Sequence, residues 1–246
     1  MKRHITILIV LLDICLHASA QGLGIQLGYT HASERYKAGA SGKYQAFSPL
    51  NGFSLGAAYE YDFYKGLGLS AGLNYVFGAQ AEKETTNSGY LKTTKTSRVR
   101  HAMEIPVMLQ WRIRIAKQSY ILTYGGPTLQ IGLYYKGKRS YDSPMIQQED
   151  DIFDFYTDNG SFYHLPASAT LPPAYINDKL NRVNLMMGFG LGLQFRQFQL
   201  KGGYDWGLLN NYADNHTPDG STWLKDRQDQ WYIRFAYFFE LKKTNK

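Results

Sequence analysis

Charged residues recur at every second position inside otherwise apolar stretches of this sequence, and that spacing is where chemistry would begin. On an extended strand residues i and i+2 share a face. The alternation sets Glu60, Glu104, Asp205 and Glu240 on the same kind of face as Arg98, Arg100, Arg112, Arg196, Lys201 and Arg234. Charges confined to a narrow interior must pair or neutralise, because an isolated buried charge is far costlier than a paired one. The expectation is an ion-paired plug drawn from Glu60, Glu104, Arg112, Lys201, Asp205, Arg234 and Glu240. Strand directions put Glu104, Asp205 and Arg234 near mid-height, with Glu60, Arg112, Lys201 and Glu240 lower. The alternative use of the same groups is a proton or solute path.

Nucleophile and base pairs are scarcer. His31-Ala32-Ser33, with Glu34 beside it, has the residue types of a lipid-hydrolysing pair. His31 and Ser33 would share one face of an extended strand. The grouping is a three-residue coincidence in an expected loop, and no catalytic residue is assigned. No zinc spacing and no Gly-rich phosphate loop occurs, so neither metal nor cofactor is expected. A second cluster, Glu149, Asp150, Asp151, Asp154 and Asp158, is interleaved with Ile152, Phe153, Phe155 and Tyr156. It fits no EF-hand loop. Long loops carrying aromatics are more often functional than short polar ones. Asp150, Asp151, Phe153, Asp154, Phe155 and Tyr156 are therefore candidates for a partner-contact surface. Lys83, Lys92, Lys95 and Arg98 form a basic loop suited to lipopolysaccharide phosphates by plain electrostatics.

The elements that position these groups are strands. Val183 to Phe195 alternates Val183, Leu185, Met187, Phe189, Leu191, Leu193 and Phe195 against Asn184, Met186, Gly188, Gly190, Gly192 and Gln194. After a turn at Arg196-Gln197, residues 198–208 alternate again, which makes an antiparallel hairpin. The same period predicts strands over 22–30, 52–62, 66–78, 98–115, 119–135 and 227–242. Turns at 63–65, 116–118 and 196–197 are short; connections at 31–50, 79–97, 136–181 and 210–226 are long. Pro106 sits mid-strand beside Glu104 and predicts a local bulge with only a small defect, because the alternation stays in phase on both sides.

Eight strands with strictly alternating short and long connections, an unbroken apolar face and a charged face read as an all-β, up-and-down transmembrane barrel. Short turns would be periplasmic and long loops extracellular. A lipocalin-like barrel or a β-sandwich would bury the apolar face, yet Tyr59, Tyr75, Trp111, Trp206 and Trp231 fall near strand ends, where membrane girdles belong. The 246 residues hold 20 Tyr and 24 Gly, which suits β-structure. Residues 1–20 read as a cleavable secretory signal, with Lys2 and Arg3, an apolar centre from Ile5 to Leu12, and Ala18-Ser19-Ala20. Residues 21–246 would then form one barrel domain without cysteine, placed in the outer membrane. A formal charge of +7 points to anionic lipid rather than nucleic acid.

Three segments carry a family resemblance: HAMEIPVMLQWR at 101–112, YGGPTLQIGL at 124–133 and GFGLGLQFRQFQLKGGYDWGLLNN at 188–211. Glu104-Ile105-Pro106, Gly126-Pro127, Gly188-x-Gly190 and Tyr204-x-x-Gly207-Leu208 resemble the outer membrane β-barrel domain of Bacteroidetes-type bacteria, the PorT-like porin family. Many such barrels end on an aromatic residue, whereas here Phe239 is followed by Glu240 and six further residues. The residues read as a non-enzymatic, monomeric barrel acting through its external loops, in envelope structure or protein interaction; the resemblance agrees and adds a link to envelope assembly or secretion. A narrow porin-like channel and a lipid-modifying barrel enzyme are the alternatives.

Overall fold

The computed structural model describes residues 22–38, 45–46, 49–87, 91–142, 151–157, 180–211 and 224–239. The expected signal at 1–20, Asp150, Glu240 and much of the 136–181 connection lie outside them. The elements are β1 (Gly22–Ala38), β2 (Gln45–Ala46), β3 (Leu50–Tyr64), β4 (Leu67–Asn87), β5 (Leu91–Ala116), β6 (Ser119–Asp142), β7 (Asp151–Asp154), β8 (Val183–Phe195), β9 (Phe198–Gly207) and β10 (Leu224–Phe239). Neighbouring long strands pair antiparallel in the order β10-β9-β8-β6-β5-β4-β3-β1, and β10 returns to pair with β1. The closing seam runs from Leu23↔Phe239 to Ala38↔Leu224. β2 and β7 are short additions to β1 and β6, so eight long strands close into an up-and-down barrel.

Each face follows its residues. Along β8 and β9 most of the apolar set is exposed, from Leu191 at 64 % to Tyr204 at 39 %, while Asn184, Met186, Gln199 and Asp205 are buried. Exposed Ile25, Leu27, Leu55, Leu109, Ile233 and Phe235 continue this band around the barrel. A contiguous apolar surface of that extent is stable only against lipid. Aromatic rings border it. On the upper side Tyr29 meets Trp231 at 5.3 Å, Phe53 meets Phe77 at 5.3 Å, and His101 meets Phe77 and Tyr134 at 5.2 Å each. On the lower side Phe198 packs on Phe235 at 5.8 Å and Tyr237 on Phe239 at 5.3 Å.

The short turns are two-residue connections. Lys65 (φ 42°) and Gly66 (φ 87°) are both left-handed, the geometry that matches strand twist in a tight hairpin. The turn after β3 is therefore Lys65-Gly66, one step later than the 63–65 expected, with Phe63 and Tyr64 inside the strand. The extracellular side departs more. β1 runs on to Ala38, β4 to Asn87 and β6 to Asp142, while β5 starts at Leu91. Much of the expected loops at 31–50 and 79–97 is thus paired strand, as are residues 136–142 and 151–154 of the connection at 136–181. Above the membrane both faces are wet, so the apolar alternation that marks a strand disappears although the ladder continues. β4, β5 and β6 have 21, 26 and 24 residues, against 13 and 10 in β8 and β9. About 9–11 tilted residues cross a bilayer, so β4–β6 rise as a tall wall over a low β8–β9 side.

At Pro106 the β4–β5 register is unbroken between Ala71↔Val107 and Asn74↔Glu104, and only the pairings opposite Gly72 and Leu73 lapse. The proline ring needs this space, since a Cβ on Gly72 would come within 3.1 Å of it. The expected bulge is not there; the β5–β6 register shifts instead between His101 and Ala102.

Replacing Leu191 by Arg should cost about 2–4 kcal/mol in lipid, because the residue faces mid-bilayer. Denaturant unfolding of the protein refolded into vesicles measures this; Leu191→Ala serves as control, and equal stability of both variants would contradict the lipid-facing assignment.

Candidate functional site: three charged tiers in the lumen

Side chains fill the interior of an eight-stranded barrel. In this one they form tiers. Inward glycines on β8 make room for them: a Cβ on Gly188 would lie 1.7 Å from Asp205 Oδ1, and one on Gly190 would lie 2.3 Å from the Tyr124 ring.

The middle tier centres on Glu104 of β5, which has no exposed surface. Arg234 Nη2 from β10 donates to Glu104 Oε2 at 2.7 Å. Gln130 Nε2 from β6 and Gln230 Nε2 from β10 donate to Oε1 at 3.0 and 2.8 Å. Gln230 Nε2 also reaches Asp205 Oδ2 at 3.2 Å, so a neutral amide bridges the two carboxylates. The Arg234 guanidinium lies 4.1 Å from the Tyr232 ring centre. The structure thus brings Glu104, Asp205 and Arg234 together, with Gln130 and Gln230 as partners that parity alone did not single out.

The lower tier centres on Glu60 of β3. It accepts from Arg112 of β5, from Lys201 Nζ of β9 at 2.7 Å and from Gln199 Nε2 at 2.8 Å. Lys201 also donates to Gln110 Oε1 at 2.9 Å, and Arg112 pairs with Asp62. One of the expected inward cations, Arg196, does not join. It sits in the exposed β8–β9 turn, at φ 53°, and its Nε donates to Gln118 Oε1 at 3.1 Å. Arg114 is likewise exposed near the β5–β6 turn. Strand ends put both beyond the enclosed space.

A third tier near the extracellular mouth is the one sequence reasoning missed. Glu34 of β1 is 3 % exposed and accepts from Arg98 Nη1 at 2.8 Å and Tyr135 Oη at 2.7 Å, with Arg100 Nη1 3.7 Å away. Arg100 also donates to Gln228. The parity of Gln26, Gly28 and Thr30 predicts this inward position for Glu34; ending the strand at Thr30 hid it. Arg98 therefore faces inward and leaves the expected lipopolysaccharide-facing loop set.

Two expectations change at the mouth. Phe155 and Tyr156 are 4 % and 6 % exposed. Phe155 stacks on Tyr135 at 4.1 Å, and Tyr156 meets it edge-on at 6.2 Å. These two aromatics plug the opening rather than offer a contact surface, because Tyr135 presents an apolar face inside the mouth. Of the remaining candidates, Asp151, Phe153 and Asp154 lie in β7, paired with β6. The His31–Ser33 grouping also resolves. His31 lies against Trp231 at 5.1 Å and contacts Asn51 Oδ1 through Nδ1 at 2.8 Å on the outer face, while Glu34 turns to the inside. Strand alternation puts Glu34 on the face opposite His31 and Ser33.

Above the upper girdle, Asp226 of β10 is 3 % exposed and accepts from Asn211 Nδ2 at 2.8 Å. Burial, with the Glu34 charge adding to it, pushes its pKa up to about 8. The unfolded group titrates near about 3.9, so the folded state holds the extra proton. Stability should fall as pH rises from about 4 to about 8 and then level off. Asp226→Asn should remove that decline, and unfolding midpoints of both proteins across this range would show it; parallel profiles would refute it. Separately, Glu104→Leu should cost about 3–5 kcal/mol by leaving Arg234 buried and unpaired. Adding Arg234→Met should restore most of that loss in denaturant unfolding.

Among curated proteins none matches the sequence. Distant likenesses exist among solved structures. Ail of Yersinia pestis is 15 % identical, with a TM-score of 0.38 over 89 % of this chain and 99 % of that one. OprG of Pseudomonas aeruginosa is 11 % identical, with a TM-score of 0.37 over 90 % and 98 %. Neisserial surface protein A is 12 % identical, with a TM-score of 0.36 over 88 % and 97 %. The sequence model of the outer membrane protein beta-barrel domain matches residues 20–213, which take in every long strand but β10. With a closed barrel, a lipid-facing band and a charged lumen already in place, this match establishes that the chain belongs to the outer membrane protein beta-barrel domain family.

Proposed function

We propose that this outer-membrane barrel is a closed, non-enzymatic scaffold that acts through its extracellular wall and mouth, in envelope structure or by holding another envelope protein. The observation that carries this reading is the lumen. Glu104, at 0 % exposure, ties β5, β6 and β10 across the interior, and the Glu60 and Glu34 tiers repeat the arrangement below and above. A small cavity of ≈ 30 Å³ lined by Gln26, Ser70, Tyr124, Lys201 and Arg234 lies between the middle and lower tiers. Moving a solute through would mean breaking buried ion pairs, each costly to separate. That weighs against the narrow-channel reading. The separation of His31 and Ser33 from Glu34 weighs against a hydrolase.

The outward parts of the mouth then carry the activity. Phe155 and Tyr156 anchor the segment 151–157, and Ile152, 69 % exposed, projects beside β7. Asp150, Asp151, Phe153 and Asp154 flank it in sequence, so the contact reading now rests on this short strand and its neighbours. The PorT-like resemblance of the segments at 101–112, 124–133 and 188–211 supports a role in envelope assembly or secretion.

Single-channel recording of the refolded protein in a planar bilayer tests the closed lumen. Silence is the expected result. Steady, reproducible openings would overturn it, and their loss or rectification on Glu104→Gln would locate the path through the middle tier.

A further inference from the structure

The outer face of the extracellular wall carries cations above the upper girdle on β4, β5 and β6. On β6, Lys136 and Lys138 follow Tyr134 of the upper girdle at two-residue steps, so all three share the outward face. On β5, Lys95 has the parity of His101, and on β4, Lys83 has the parity of Phe77. At roughly 3.3 Å per residue these lysines stand about 7 to 20 Å beyond the girdle along the strands. Lys83, Lys95 and Lys138 are exposed, and Lys136 lies 5.4 Å over the Tyr134 ring. On the far side of the barrel Arg35 of β1 and Arg227 of β10 are also exposed.

The pairing register makes this arrangement repulsive. Lys83 lies directly across from Lys95, and Arg35 directly across from Arg227. Like charges in directly opposed positions destabilise a sheet. Among the described residues, the acids near them include Asp229, Asp154 and Glu82, which alternation sets on the other face of β4. Asp229 is buried and held by Arg35 and the Gly207 amide; Asp154, across from Lys136, accepts the Tyr156 amide at 3.1 Å. An external anion would relieve the repulsion, and the band is continuous with the lipid-facing belt below it. That position selects a membrane lipid with a tall anionic headgroup over a soluble ligand.

We infer that Lys83, Lys95, Lys136 and Lys138 form a binding face for the phosphates of lipopolysaccharide in the outer leaflet. The face gives the closed-scaffold reading a lipid partner, but it does not depend on whether the lumen conducts. The ammonium groups act as point charges toward phosphate, and each should contribute a factor of roughly five to affinity. Lys92 belongs to the same hairpin, but its side chain lies outside the described residues.

The test titrates deep-rough lipopolysaccharide into the detergent-refolded protein and follows tryptophan fluorescence, since Trp206 and Trp231 lie at the girdle. The same lipopolysaccharide stripped of phosphate is the comparison. Expected are tighter binding of the phosphorylated form, weakening with salt, and a loss of about a hundredfold in Lys83→Gln/Lys95→Gln/Lys138→Gln. Heat-modified gel mobility checks that the variant is folded. Equal binding of both lipids, or a folded triple variant that binds as the parent does, would overturn the assignment; the first would leave acyl contact alone as the attraction. Bilayer recordings on the same preparations keep this outcome separate from that of the closed lumen.

Discussion

Hydrocarbon offers no water to an unpaired peptide group, and the rest of the structure depends on that constraint. A sheet can cross a membrane only if its first and last strands meet, as β1 and β10 do. With eight long strands the enclosed space is narrow, and side chains must fill it. Charge is tolerated there only when neutralised locally, so the carboxylates of Glu34, Glu60 and Glu104 each hold at least one cation from another strand. The glycine face of β8 follows from the same crowding, because Asp205 and Tyr124 occupy the space its side chains would take.

What was legible in the sequence followed lipid. Where one face meets hydrocarbon and the other meets the lumen, residues such as Leu191 and Gly192, or Phe235 and Arg234, declare the strand and its phase. Glu60, Glu104, Arg112, Lys201, Asp205 and Arg234 of the lower and middle tiers could be read from that phase, their amide partners not. Outside the bilayer the signal vanishes, since Lys83, Thr96 and Lys138 all sit in ladders whose faces are wet. The wall of β4–β6 and the Glu34 tier were hidden for this reason. The inward turn of Phe155 and Tyr156 was hidden for another: it depends on Tyr135, which lies far from them along the chain and close in space.

The barrel is uneven in height, and its two rims differ in character. Three tight turns end the periplasmic side, whereas the opposite side rises on β4, β5 and β6 and stays low at β8 and β9. The segment at 151–157 crosses from the tall side, where β7 pairs with β6, to the low side, where Leu180 N donates to Phe155 O at 2.8 Å. The segment thus clasps a tall strand to the start of a low one at the mouth, and the exposed outer face of the tall half is the cationic one.

The tall wall also has an edge. β3 pairs with β4 only as far as Asn51↔Ala79, so among the described residues β4 from 80 to 87 is joined on one side alone. An open strand edge invites another strand. Charged side chains guard such an edge, and alternation puts Lys83 on the outer face of β4 and Glu82 on the other. Both residues are exposed. With a charge on each face, this open edge is guarded against the addition of a further strand.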